Sequence, residues 1–287
     1  MEDKYQTISV NTKDQVLTVT LNRPSKLNAF TTEMCFELID IIDKADNDES
    51  IGAIIFTGAG SAFCAGADLS GKGKTFNYDK RSDKINGVAP DRGGLLTLKL
   101  FDCKKPLISA VNGAAVGIGV TMQLPMDIRI ASTNARFGFV FTNRGVVPEA
   151  CSSWFLPRIV GISKALEWCF SGKIFDHQEA LAGGLISEIT TPEDLLLRAE
   201  AIANEFIQRS APVSLALTRQ MLWKMLGTDH PMEAHKIDSR GIQDRGISKD
   251  GIEGIESFLE KRDPKFSETP TKDMPNFYPW WEKRNFE

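Results

Sequence analysis

The stretch Lys105–Pro125, KPLISAVNGAAVGIGVTMQLP, decides how the chain is read. Its first third is a short, continuous apolar run with β-branched residues, the mark of a strand covered on both faces. Glycines 113, 117 and 119 then break the run ahead of a short helix. The first N–H groups of a helix have no partner inside it. Two such donors aimed at one point could stabilise an oxyanion, each worth about 2.7–4 kcal/mol in a dry site. A purely structural strand-to-helix turn would read the same way. The turn is not a Walker loop, since it lacks Gly-Lys-Ser/Thr, and it is not GxGxxG, since Met122 stands at the final position.

An earlier stretch has the same plan. IGAIIFTG, Ile51–Gly58, is another apolar β-branched run, and GAGSAFCAGADLS follows it. Small residues at Ala65–Ala67 would let a ligand approach the main chain closely. Further out, QVLTVTLN alternates, with Leu17, Val19 and Leu21 on one face, and predicts a strand. Thr31 or Thr32 predicts the cap of a helix carrying Met34, Leu38, Ile41, Ile42 and Ala45. MDIRIAS and ARFGFVF predict two more strands, the second with Phe137, Phe139 and Phe141 on one face. EACSSWFLPRIVG, SKALEWCFSG and DHQEALAGG predict short helices, LISEIT a last strand, and two longer amphipathic helices follow. Strands alternating with helices predict an α/β core over residues 1–195, and residues 196–287 predict a helical region. The tail TKDMPNFYPWW is aromatic and reads as a strap or a subunit contact.

Ser70–Gly94 carries six basic residues against three acidic ones and reads either as a surface loop or as a wall over an anionic ligand drawn by Lys72, Lys74 and Lys80. The net charge of −4 gives no nucleic-acid footprint. No apolar run reaches the ~20 residues of a membrane span. The polar N-terminus MEDKYQTISV is no secretory signal and the C-terminus EKRNFE no peroxisomal address, so a cytoplasmic location is expected. Five scattered cysteines and three histidines show no metal-ligand spacing, so no metal is expected.

Taken in order and spacing, LNRPSKLNAF, GSAFCAGADL, PLISAVNGAAVGIGV, DIRIAS, ARFGF and GVVPEACSSWFLPRIVG resemble the crotonase superfamily, the enoyl-CoA hydratases and isomerases. The similarity runs from about residue 5 to residue 265. It implies a ClpP/crotonase-like α/β fold, a spiral of β-β-α units with a C-terminal helical trimerisation region, assembled as a homotrimer or a dimer of trimers. It implies an acyl-CoA thioester substrate, with coenzyme A part of the substrate and no separate cofactor. The oxyanion-hole amides of the family fall on Ala67 and Ile118. The two glutamates of typical hydratases fall on Thr121 and Phe141, neither of which can act as their acid or base. Losing such a group typically costs about 10²–10⁴ in rate. Glu149 instead matches the single glutamate of a branch that looks like the Δ3,Δ2-enoyl-CoA isomerases. Locally, Glu149 after Pro148 also suits the start of a helix, where it would favour the helix dipole.

The resemblance further implies substrate contacts for Lys26, Ala65, Asp68, Leu69, Gly117, Thr121 and Phe141, and for Lys261 contributed from a neighbouring subunit. Asp68 suits a helix cap equally well, and Lys26 and Lys261 suit a solvated surface. The leading expectation is isomerisation of 3-enoyl-CoA to trans-2-enoyl-CoA with Glu149 as base, in fatty-acid β-oxidation. A hydratase, or another acyl-CoA lyase or hydrolase using Glu149 with water, and a non-catalytic acyl-CoA-binding protein are the alternatives.

Overall fold

The computed structural model describes residues 5–287. Strands β1 (Ile8–Lys13) and β2 (Val16–Leu21) form an antiparallel hairpin in which Lys13 faces Val16. Its two turn residues, Asp14 and Gln15, both have positive φ, as a two-residue hairpin turn requires. Helix α1 (Thr32–Asp46) starts at Thr31, whose hydroxyl accepts from the Met34 amide at 3.1 Å. Its stripe of Met34, Leu38, Ile41, Ile42 and Ala45 is buried, as its spacing predicts.

The core then repeats one unit. Strand β3 (Ala53–Gly58) is followed by the three-residue β4 (Ala62–Cys64) and, after residues 65–91, by α2 (Arg92–Asp102). Strand β5 (Leu107–Val111) is followed by β6 (Ala114–Val116) and α3 (Ile118–Thr121). Strand β7 (Ile128–Ser132) is followed by β8 (Arg136–Gly138) and α4 (Ser152–Val160). Helix α5 (Ile162–Ser171), β9 (Ile174–Asp176), α6 (His177–Ala182) and β10 (Glu188–Thr190) complete the core. The first strand of each unit joins a six-stranded sheet, β1-β2-β3-β5-β7-β10, parallel beyond the hairpin. The second strand joins a four-stranded sheet, β4-β6-β8-β9. This is the expected spiral of β-β-α units.

Four helices follow: α7 (Leu195–Arg209), α8 (Pro212–Met225), α9 (Pro231–Arg245) and α10 (Lys249–Glu260). Leu195, Ala199, Ile202 and Ala203 of α7 close over Val16, Ala53, Ile55, Ile108 and Ile130, forming a second core on the outer face of the large sheet. Each fully buried Leu or Ile contributes about 1.5–3 kcal/mol there. On α8, the buried Arg219 donates to Asp127 at 2.8 Å and to the carbonyls of Phe101, Leu100 and Pro125 at 3.0–3.1 Å. Asp127 also accepts from the Leu107 amide and the Trp223 indole, each at 2.8 Å. This network ties α8 to the entrance of β5.

Two readings shift. The ARFGFVF strand ends at Gly138, because β9 pairs only with residues 136–138. Phe139 stays buried by stacking on Trp168 and Phe175. Helix α4 begins at Ser152, three residues after Glu149, because Ala150 and Cys151 both hold a left-handed conformation. Glu149 is therefore not a first-turn helix residue. The aromatic tail lies on its own chain as a strap: Lys272 pairs with Glu49, and the Lys224 ammonium sits 4.3 Å from the Trp281 ring centre.

Candidate active site

Each strand-to-helix turn delivers one amide. Gly66 has φ +114° and Gly117 φ +56°, values that L side chains rarely adopt. These glycines orient the peptide units whose N–H groups belong to Ala67 and Ile118. The chain pairs through Gly66 O and Asp68 N with Phe30, which leaves the Ala67 amide on the other side. Ile118 is the first residue of α3, so its amide has no helical acceptor. Among the described residues, neither N–H donates to a backbone acceptor. Each of the two strand-to-helix turns thus supplies one donor that has no backbone partner among the described residues.

Ala67 and Ile118 both border a cavity of about 730 Å³. Ala65, Asp68, Leu69, Gly117, Phe141 and Glu149 border it as well. Thr121 does not line the cavity; it is fully buried behind it, and its hydroxyl donates to Glu149 Oε1 at 2.6 Å. Lys26, in a short 3₁₀ turn, and Lys261, which caps α10, are both exposed and lie outside the cavity wall. Of the charged carry-overs, the fold therefore brings Glu149 and Asp68 to the cavity and leaves both lysines elsewhere in this chain.

Desolvation sets the state of Glu149. Burial pushes its carboxyl up to about 7; the Thr121 hydrogen bond works against that shift and the Asp91 charge adds to it. Asp68 is held instead at about 2, by the Ser70 amide and hydroxyl and by Arg23 at 2.9 Å. Asp68 caps the 3₁₀ segment Leu69–Lys74. Asp68 and Glu149 are thus driven in opposite directions, and Glu149 is the one poised to exchange a proton near neutral pH.

Asp91 and Gly93, at the start of α2, hold Glu149 in place. Asp91 Oδ1 accepts from the Gly94 amide at 2.6 Å and from the Ala150 amide at 3.2 Å. One carboxylate therefore caps α2 and clamps the loop after Glu149, where Ala150 and Cys151 have φ of 57° and 54°. Such residues cost on the order of 1 kcal/mol each and persist only where their surroundings hold them. A Cβ on Gly93 would fall on Glu149 Oε2 and lie 2.7 Å from Ile118 Cδ1.

A model of the enoyl-CoA hydratase/isomerase family matches residues 11–269. The chain belongs to that family. It is 38% identical over 258 residues to enoyl-CoA hydratase ACTT3 of Alternaria alternata, covering 89% of this chain and 84% of that protein. It is 32% identical over 265 residues to the 1,2-epoxyphenylacetyl-CoA isomerase of Escherichia coli K12, covering 88% and 95%. The solved enoyl-CoA hydratase subunit I of Geobacillus kaustophilus HTA426 superposes with a TM-score of 0.83 at 29% identity, covering 92% of this chain and 99% of that one. The protein is thus an acyl-CoA enzyme of the enoyl-CoA hydratase/isomerase family with the crotonase fold.

Set on the family fold, the cavity has a wall that the sequence reading left unassigned. Thr75, Phe76, Tyr78, Arg81, Asp91, Arg92 and Gly93 all border it, whereas Lys72, Lys74 and Lys80, expected to draw an anion, do not. The available signal was the PDRGG run, an Asp at a helix start. The paired glycines at 93 and 94 masked the helix behind it. Among the described residues no group of three His, Cys, Asp or Glu side chains is placed to hold a metal ion, and no helix is long and apolar enough to cross a membrane.

Proposed function

We propose that this enzyme isomerises 3-enoyl-CoA to trans-2-enoyl-CoA with Glu149 as its single acid–base group. The carrying observation is one carboxylate of near-neutral pKa on the same cavity as Ala67 and Ile118, whose N–H groups have no backbone acceptor among the described residues. The Glu149 carboxylate takes a proton from C2, and the electron pair moves into the thioester carbonyl. The enolate oxygen is held by the Ala67 and Ile118 N–H groups. The double bond shifts from C3–C4 to C2–C3 as the protonated Glu149 returns its proton at C4. Atoms and charge balance with no water consumed.

Thr121 and Phe141 support this reading, since a hydroxyl spent on Glu149 and a phenyl ring leave no second acid–base group at those positions. A hydratase reading is supported by the names of relatives, including ACTT3 and the short-chain-enoyl-CoA hydratase of Clostridium acetobutylicum. In that reading Glu149 would activate water toward C3.

Assembly as a homotrimer or a dimer of trimers belongs to the same proposal. Ile252, Ile255, Phe258 and Leu259 on α10 are exposed apolar side chains that an assembly would cover. We propose a role in fatty-acid β-oxidation, on the basis of the enoyl-CoA substrate class.

Supplying wild-type enzyme separately with 3-enoyl-CoA and trans-2-enoyl-CoA, and resolving the products by chromatography, tests the assignment. Faster conversion of the 3-enoyl ester than hydration of the 2-enoyl ester is expected. Hydration at an equal or higher rate would replace the isomerase reading with the hydratase one.

A further inference from the structure

The chemistry assigned to Glu149, Ala67 and Ile118 leaves unexplained the basic wall that residues 78–92 build on the same cavity. Arg81 borders the cavity and stacks its guanidinium 5.0 Å from the Tyr78 ring centre. Its Nε and Nη2 grip Asp83 at 2.9 and 2.6 Å. Arg92 takes the same Asp83 carboxylate at 2.9 Å, so two cations share one anion. Arg81 Nη1 is shut off from solvent and has no hydrogen-bond partner among the described residues. Unmatched charged donors are costly, and a charge-assisted bond is about twice as strong as a neutral one.

A third guanidinium, Arg144, borders the cavity and donates to the Val140 carbonyl at 3.0 Å. Against these three cations stand Asp83 and Asp91, the latter already accepting from two amides. Counting Asp68 with its partner Arg23, one positive charge is left over while Glu149 is protonated and none once it is ionised. A plain alkyl chain offers nothing to this wall.

We propose that the wall formed by Arg81, Arg92 and Arg144 is a subsite for a carboxylate carried on the acyl group, so that the substrate is the mono-CoA thioester of a dicarboxylic acid. Arg81 and Arg92, which share the single Asp83 carboxylate, would meet it, and Tyr78, stacked on the Arg81 guanidinium, borders the same cavity as Glu149. The inference rests on the cavity being the acyl-CoA site. A phosphate of CoA offers the same oxygen chemistry, so the test separates the two sources.

Calorimetric titration with saturated, unreactive esters provides that test. Coenzyme A alone, hexanoyl-, octanoyl- and decanoyl-CoA, and the matching ω-carboxyl esters are titrated into wild type, Arg81→Met and Arg81→Lys. At the best-matched length the carboxyl ester is expected to bind wild type about 10–100-fold more tightly than its methyl-ended counterpart. That ratio falls to about one in Arg81→Met and is intermediate in Arg81→Lys, with thermal melting reporting that each variant is folded. If Arg81→Met does not fold, the Arg81→Lys ratio decides, and a ratio equal to wild type overturns the proposal. Equal binding of the paired esters at every length overturns it while leaving the acyl-CoA site intact. Weakening of coenzyme A alone by Arg81→Met, to the same extent as the carboxyl ester, assigns the guanidinium to a phosphate and also overturns it. If no ester binds, the acyl-CoA reading of the cavity fails and this inference falls with it.

Discussion

At the scale of single residues, function depends on keeping one carboxyl out of water. A base must be ionised, so kcat/KM for 3-enoyl-CoA is expected to rise about tenfold per pH unit below about 7 and to level off above it. Asp91→Asn keeps an acceptor oxygen for the Gly94 and Ala150 amides but removes the charge that helps raise Glu149. Its pH–rate midpoint is expected to fall; a midpoint that rises or stays fixed would detach Asp91 from the base. The same shift has a stability consequence. Because the folded-state value lies above the ordinary 4.5, the proton is held more tightly in the folded chain. That contribution is fully present below about pH 4.5 and is lost as pH rises through about 7. Glu149→Gln, which cannot ionise, is therefore expected to gain stability relative to wild type as pH rises from 4.5 to 8, by at most about 3 kcal/mol. Paired urea titrations at the two pH values would show it, and a gap that shrinks with rising pH would contradict it.

At the scale of elements, α2 is the piece on which the site depends most, and the sequence hid it. Its first turn holds Gly93 against Glu149 and Ile118, so Gly93→Ala pushes a methyl group into the carboxylate. A drop in kcat on the order of 10²-fold is expected, with about 1–3 kcal/mol lost from overpacking. Steady-state kinetics with a melting curve would check both, and an unimpaired kcat would mean that α2 can retreat without moving the base. The elements that were legible share a cause. Helix α1 shows a full stripe from Met34 to Ala45, and β3 and β5 are continuous apolar runs buried on both faces. The hidden ones lack any period to read. Strands β4, β6 and β9 have three residues each, too few for alternation to show. The β1–β2 turn uses Asp14-Gln15, where a glycine would have announced the hairpin. Ala67, Ile118 and Glu149 were placed by motif resemblance, whereas Tyr78, Arg81 and Asp91 reach the cavity through a long irregular segment whose path no local pattern encodes.

At the scale of the whole molecule, the two sheets act as a frame that brings two equivalent turns to one cavity. The C-terminal helices close the outer face of the large sheet through α7 and leave α10 with apolar side chains in water. Covering them in a trimer predicts that Phe258→Asp, together with Ile255→Asp, lowers the sedimenting mass; an unchanged mass would place the subunit contact elsewhere. The account as a whole turns on whether one carboxyl carries both proton transfers. The most direct measurement is the turnover of 3-enoyl-CoA by wild type and by Glu149→Gln, with ester affinity measured in parallel. A fall of at least about 10²–10⁴ in kcat, with ester binding retained, is predicted. A Gln variant that still shifts the double bond within tenfold of wild type would contradict it.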